Sequence, residues 1–193
     1  MLFTNRPIQR LISHVSFVIL LIVLLSASQS VFAQKPQVFP VARLLSLPGA
    51  NTTSASPSLS QATEIERRAF EGTNKARLQK GLAPLEWDPE LYRMARIHSE
   101  SMSRRGYFAH ETPEGLRLKD RAHAVGIQHF RVLGENIAYN QGYDDPGAFA
   151  VERWMISPGH RANILNSEFE RSAVGSFVAS DGTVYLTQEF IKR

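Results

Sequence analysis

Apolar side chains recur at helical spacing through the middle of the chain. They return about every three to four residues over residues 63–80 and again over residues 88–104, and this period predicts two amphipathic helices. The second helix has a clear start, because Asp88 can cap a helix and Pro89 fits its first turn. Asn74 lies inside the first helix, where asparagine is unfavourable, so we expect its side chain to bond a neighbouring loop.

The rest of the folded region mixes helical and strand-like patterns. A short helix is predicted over residues 116–124, and Asp145 with Pro146 opens another by the same capping pattern. The Asp181-Gly182 pair separates two apolar runs and is typical of a hairpin turn. Helices interspersed with strands predict an α+β fold. The predicted strands cover residues 130–133, 173–179 and 183–190.

The first 33 residues have the pattern of a secretory signal. Arg6 and Arg10 precede an apolar run over residues 15–25, and Val31 and Ala33 occupy the two positions that a signal peptidase reads. The run is shorter than the roughly 20 residues of a membrane-spanning helix. We predict cleavage after Ala33 and a secreted protein, extracellular or periplasmic, with no transmembrane span after cleavage. A retained membrane anchor is the alternative.

Composition separates a linker from the domain that follows it. Residues 34–61 contain four prolines, a Ser/Thr-rich run and no acidic residue, so they cannot bury enough apolar surface to offset chain entropy. The predicted organisation is a signal peptide over residues 1–33, a flexible linker over residues 34–61 and one domain over residues 62–193.

Charge and cysteine content exclude several classes of function. The chain has no cysteine, which excludes disulfides and thiol chemistry. Its net charge is +4, but Arg6, Arg10, Lys35 and Arg43 lie in the signal and the linker, which leaves 18 basic against 18 acidic residues. No basic stripe is interleaved with aromatic residues, so we expect no nucleic-acid partner.

Residues 154–165 combine an apolar helical segment, a Ser-Pro-Gly break and a histidine. Pro158 disfavours the helical conformation of the residue before it, so the helix should end near Ser157. Gly159 then permits a turn that presents His160. A nucleophilic Ser157 is disfavoured because no Gly-x-Ser-x-Gly elbow surrounds it; we expect it to cap the next helix.

Two other segments place a histidine or a glutamate close to a glycine, whose backbone can adopt conformations that other residues cannot. Residues 106–110 leave the second helix and end at His110, and Glu135 lies between Gly134 and Asn136. His98 differs from these, because it lies on the apolar side of the second helix. We expect it to be a buried core histidine that finds its hydrogen-bond partners within the protein.

Taken together, these segments resemble the CAP superfamily (cysteine-rich secretory proteins, antigen 5 and pathogenesis-related 1 proteins) in its short bacterial secreted form, the SCP domain. The resemblance covers about residues 63–193. It rests on Asn74 with Arg77, Leu85-Glu86-Trp87-Asp88, Phe108-Ala109-His110, Gly134-Glu135-Asn136-Ile137-Ala138, residues 154–165, Val174-Gly175 and residues 185–190.

The resemblance implies a three-layer α-β-α sandwich with a small antiparallel sheet. It also implies a cleft where His110, Glu135 and His160 converge, with Asn136 and Ser157 as further cleft residues. Animal members carry a second glutamate at the position of Ser157, so this chain matches three of the family's four cleft residues.

Two uses of this cleft follow from its chemistry. His110, Glu135 and His160 could hold a divalent metal such as zinc with one open position, as in a metal-dependent hydrolase. Hydrolysis also requires a general base, for which the sequence offers no clear partner. The other use is a non-catalytic binding module that requires no cofactor. The resemblance favours binding, since family members are mostly described as binders of lipids, sterols or peptides, and we expect a lipid, small-molecule or peptide ligand.

Overall fold

The computed structural model describes residues 57–193. The predicted signal peptide and residues 34–56 of the predicted linker lie outside this part of the chain. The last residues of the predicted linker lie inside it. They form a 3-10 turn, Leu59–Gln61, and Leu59 packs against the core. The carbonyl of Pro57 accepts a hydrogen bond of 3.3 Å from Trp87 Nε1.

Five helices and four strands make up the described domain. The helices are α1 (Glu64–Leu78), α2 (Pro89–Arg105), α3 (Leu118–Ala124), α4 (Pro146–Ile156) and α5 (Pro158–Ile164). The strands are β1 (Glu86–Trp87), β2 (Val132–Asn140), β3 (Arg171–Val178) and β4 (Val184–Lys192). The predicted helices and the predicted hairpin are confirmed. The strand expected over residues 130–133 instead begins at Val132 and runs through the Gly-Glu-Asn segment.

The four strands form one sheet in the order β1-β3-β4-β2. Strands β3 and β4 are antiparallel, as are β2 and β4. The two-residue strand β1 pairs in parallel with β3, so the predicted small sheet is antiparallel across its three long strands and mixed only at this short edge. Parallel pairing needs a long crossover between the strands, and α2 begins directly after β1 to provide the first part of it.

Helices cover both faces of the sheet, which confirms the three-layer α-β-α arrangement. One core lies between the sheet and α1, α4 and α5; the other lies between the sheet and α2 and α3. Helix α2 approaches β3 very closely at Gly175, where an added Cβ would stand 2.2 Å from the backbone nitrogen of Arg96. Glycine is therefore required for this contact between the layers.

Local signals explain the ends of the first two helices. Thr63 and Glu66 form a reciprocal capping box at the start of α1, and the Asp88 carboxylate accepts from two backbone amides at the start of α2. The expected loop contact of Asn74 is confirmed, since its side chain exchanges hydrogen bonds of 3.0 and 2.8 Å with the backbone of Leu85.

Helix length and polarity also bear on membrane association. Within residues 57–193, every helix is too short or too polar to cross a membrane.

Candidate functional site: a His/Glu cleft at the sheet edge

The cleft lies at strand β2, which forms one edge of the sheet. Successive side chains of a strand point to opposite faces, so neighbouring residues of β2 reach different layers. Glu135 faces α2 and α3, where its carboxylate meets Arg121. Asn136 faces α5, where its amide donates to the carbonyl of His160 at 3.2 Å. The edge strand thus links both helical layers.

His110 comes from the loop between α2 and α3. Its Nδ1 lies 2.7 Å from Oε1 of Glu135, while 56% of its side chain remains exposed. A carboxylate acceptor at Nδ1 places the proton of the neutral ring there and leaves Nε2 as an acceptor. The pair therefore presents an oriented imidazole to a ligand.

His160 approaches the same edge from the other layer. It lies in the first turn of α5, not in the turn expected from the sequence, because Pro158 occupies the first helical position, where its missing amide and fixed φ fit a helix. The ring centroids of His110 and His160 are 6.5 Å apart. Burial and the nearby charge of His110 lower the pKa of His160, which favours a neutral ring at neutral pH.

Asn136 supports the cleft from behind. It is fully buried, and its Oδ1 accepts 2.9 Å from Nδ2 of Asn163, which also donates to the carbonyl of Glu135. Ser157 ends α4 and precedes α5, but its side chain forms no capping hydrogen bond. Ser157 therefore occupies the N-cap position of α5, as expected, and its backbone carbonyl accepts from the amide of Arg161 at 2.9 Å.

Two buried charged residues were missed by sequence reasoning, Arg121 on α3 and Glu189 on β4. Nη2 of Arg121 lies 2.6 Å from Oε2 of Glu135, and Nη1 lies 3.2 Å from Oε1 of Glu189. Glu189 pairs with Glu135 directly across the β2–β4 ladder. An acidic residue directly before the apolar pair Phe190-Ile191 of a predicted strand was the available signal, since glutamate is rarely buried without a partner.

The two facing glutamates have opposite pKa shifts. Burial alone would raise the pKa of Glu135, but the hydrogen bond from His110 and the charge of Arg121 outweigh it and lower that pKa. Burial and the adjacent Glu135 carboxylate raise the pKa of Glu189 well above its usual range. Oε2 of Glu189 has no hydrogen-bond partner within residues 57–193, which suits a neutral carboxyl. The two glutamates therefore carry one negative charge between them, on Glu135, and it faces the single guanidinium of Arg121.

His98 is the core histidine that the sequence predicts, with 1% of its surface exposed and Nε2 donating to the carbonyl of Ala109 at 3.0 Å. Its Nε2 also lies 3.8 Å from Oε2 of Glu135, a proximity that the sequence did not indicate. Burial outweighs the attraction of Glu135 and lowers the pKa of His98 to about 4.

Glu135 itself is not placed to ligate a divalent metal, which leaves the ring nitrogens of His110 and His160 as the candidate ligands. Both oxygens of Glu135 are engaged, one by His110 and one by Arg121, and the guanidinium would repel a second cation at the same carboxylate. Residues 57–193 hold no group of three or more histidine and acidic residues placed to bind a metal ion.

The fold and the cleft define a class of protein: an α-β-α sandwich with an imidazole and carboxylate cluster at the edge of its sheet. The sequence model of the cysteine-rich secretory protein family, CAP, matches residues 70–190. The chain therefore belongs to the CAP family, as its motifs indicated.

Three relatives are bacterial. Two are proteins of Bacillus subtilis strain 168: the uncharacterized membrane protein YlbC is 43% identical over 131 residues, and the uncharacterized protein YkwD is 39% identical over 141 residues. These matches cover 68% and 73% of this chain but only 35% and 51% of the relatives. The third is the crystal structure of an extracellular protein containing a SCP domain from Bacillus anthracis, with 33% identity and a TM-score of 0.59. This match covers 67% of the present chain and 40% of the Bacillus anthracis chain.

Proposed function

We propose that this chain is a secreted CAP-domain protein that acts as a non-catalytic extracellular binding module. The observation that carries the proposal is the engagement of Glu135, whose two carboxylate oxygens are both held by internal partners. A general base or nucleophile must reach the proton or atom on which it acts. Glu135 is 5% exposed and serves instead to orient His110.

The binding surface would be the imidazoles of His110 and His160 together with the adjoining backbone. His110 is the accessible member, and its accepting nitrogen could receive a hydrogen bond from a lipid headgroup, a small molecule or a peptide. Asn136 would fix the position of α5, and Ser157 would lie beside His160. Secretion rests on the N-terminal pattern of residues 1–33, and it agrees with the extracellular SCP-domain relative.

Ligand capture tests the binding proposal. The purified chain and its His110→Ala variant are incubated with a lipid extract and a small-molecule extract, and bound compounds are identified by native mass spectrometry. We expect a retained compound that His110→Ala loses. His123→Ala is the matched control, because His123 is an exposed histidine on α3 and its removal should change nothing. Equal retention by both variants contradicts a cleft ligand.

A panel of ester and peptide substrates tests the alternative of a metal-dependent hydrolase. No turnover is expected, with or without added zinc. Turnover that disappears in Glu135→Gln would replace the binding module by a hydrolase. Mass analysis of the exported protein tests secretion, with Gln34 expected as its first residue; a full-length, cell-associated chain would indicate a retained anchor.

A further inference from the structure

His110 reaches the cleft from the loop that joins α2 to α3. Phe108, Ala109 and His110 are all exposed, so burial contributes little to fixing the backbone of this segment. Exposed loops are ordinarily the mobile parts of a fold, yet Nδ1 of His110 lies 2.7 Å from the buried carboxylate of Glu135. The position of His110 therefore depends on polar contacts that buried side chains make with the loop.

Two buried side chains hold the peptide groups on either side of His110. Nε2 of His98 on α2 donates to the carbonyl of Ala109 at 3.0 Å, and Arg121 on α3 donates to the carbonyl of His110 at 3.2 Å. A peptide group is planar, so the carbonyl oxygen of Ala109 shares a plane with the nitrogen and Cα of His110. Holding both planes restricts φ and ψ of His110, and this sets the direction in which its side chain leaves the backbone.

Histidine is a costly way to fill the core position of His98. The residue is 1% exposed, and other core positions of α2 carry Leu91, Met94 and Met102. A buried polar group is unfavourable unless it is hydrogen-bonded, whereas leucine or methionine would fill the space without that cost. The imidazole adds a directed N–H donor, which the carbonyl of Ala109 can accept. This donor distinguishes His98 from an apolar core residue.

We infer that His98 is a positioning residue for His110: by holding the carbonyl of Ala109 from α2, it sets the backbone from which the His110 ring reaches Glu135. The ring then lies 6.5 Å from that of His160, measured between centroids. The inference deepens the proposed binding function and rests on it, since it explains how an exposed loop presents an imidazole in one orientation. It applies to any ligand that meets Nε2 of His110.

Nitrogen NMR of the histidine rings tests the inference on the isotope-labelled full chain at neutral pH. In the wild type we expect the ring proton of His110 on Nδ1, protected from exchange with water by its bond to Glu135. His98→Leu keeps an apolar core residue but loses the donor, so the protected Nδ1–H signal of His110 should be lost. His98→Gln keeps an N–H donor of similar reach and should retain the signal.

Ser99→Ala is the matched control for a general loss of stability. Ser99 is the neighbouring buried residue of α2, and its hydroxyl lies 3.0 Å from the carbonyl of Gly175 and 2.9 Å from Oγ1 of Thr187. These partners belong to the sheet, so the variant should lower stability and leave the His110 signal unchanged. Loss of the signal in Ser99→Ala or in a folded His98→Gln, or its retention in a folded His98→Leu, contradicts the positioning role.

The wild type alone decides the matter if His98→Leu does not fold. A slowly exchanging proton on Nε2 of His98 supports the inference. A proton on Nδ1 overturns it, because the carbonyl of Ala109 would then receive no hydrogen bond from this ring. Equal ligand retention by the wild type and His110→Ala has a different meaning: it overturns the proposed binding function and leaves the NMR result for His98 intact.

Discussion

The domain buries two glutamates in different ways, and the contrast separates structural from functional charge. Glu66 on α1 is fully buried, and its carboxylate accepts from the backbone amides of Thr63 and Ser176 at 2.7 and 2.8 Å and from the hydroxyl of Tyr92 at 3.0 Å. Glu135 is equally inaccessible, but its nearest partners are an imidazole and a guanidinium.

The partners differ in how freely they can move or change protonation state. Backbone amides of a helix cap and of a strand are fixed by the fold, so Glu66 ties the start of α1 to β3 permanently. The imidazole of His110 is half exposed and can rotate, change tautomer or gain a proton. Glu66 also has the Tyr92 hydroxyl and, at 3.7 Å, the Arg96 guanidinium beside it, but its backbone donors make it part of the framework. A carboxylate held only by side chains at a cleft can respond to a ligand.

Glu66→Gln should produce the largest loss of stability. One oxygen becomes an NH₂ group that must face the donor at Thr63 or at Ser176, and neither backbone amide can turn away. Leaving buried donors unsatisfied costs about 1–3 kcal/mol each, so the free energy of unfolding should fall by about 3–5 kcal/mol. Urea unfolding at pH 7 measures it. A loss below about 1 kcal/mol would mean that Glu66 is not a framework charge.

Acid should destabilise the domain through His98, beside Glu135. The pKa of His98 is about 4 in the folded state, against an ordinary value of 6.5 for histidine. Between these values the unfolded chain binds more protons, so stability falls as the pH drops from 6.5 towards 4. A pKa difference of this size corresponds to about 3 kcal/mol, and the contribution is fully lost below pH 4. Urea unfolding across this range measures the slope.

This test compares how steeply the free energy of unfolding changes with pH, not the absolute stability of each variant. His98→Gln removes the titrating group and should flatten the curve over the window, even if the variant is less stable throughout. His123→Gln removes an exposed histidine and should leave the curve unchanged. An unaltered slope in His98→Gln would assign the acid sensitivity to other groups.

The sequence was informative where signals are local. Asp88 with Pro89, Asp145 with Pro146 and the Asp181-Gly182 turn fixed element starts that the structure reproduces within a residue or two, because caps and turns depend on neighbouring residues only. The parallel pairing of β1 was not predictable, since two residues carry too little pattern. Layer order followed from the family resemblance, not from periodicity.

The sequence predicted the residues of the cleft but not the network of buried charges around them. His110, Glu135 and His160 were identified from motifs, and the structure brings all three to the edge of β2. Arg121 and Glu189 were missed because their meeting depends on the β2–β4 register and on the docking of α3, which are long-range properties. The partners of a buried charge are set by tertiary packing, so a sequence can suggest the charge without revealing what balances it.

Glu135→Gln should cost less stability than the same change at Glu66. The exposed ring of His110 can rotate or change tautomer to pair with the new amide. Glu189 can take over the negative charge opposite Arg121, because the Glu135 carboxylate that raises its pKa is gone. We expect a loss of about 1–2 kcal/mol, close to that of one weakened charged hydrogen bond, with an altered response to the cleft ligand. Urea unfolding of both variants in one buffer gives the comparison. If Glu135→Gln were as damaging as Glu66→Gln, the cleft carboxylate would be as structural as the helix cap, because movable partners would then give it no tolerance.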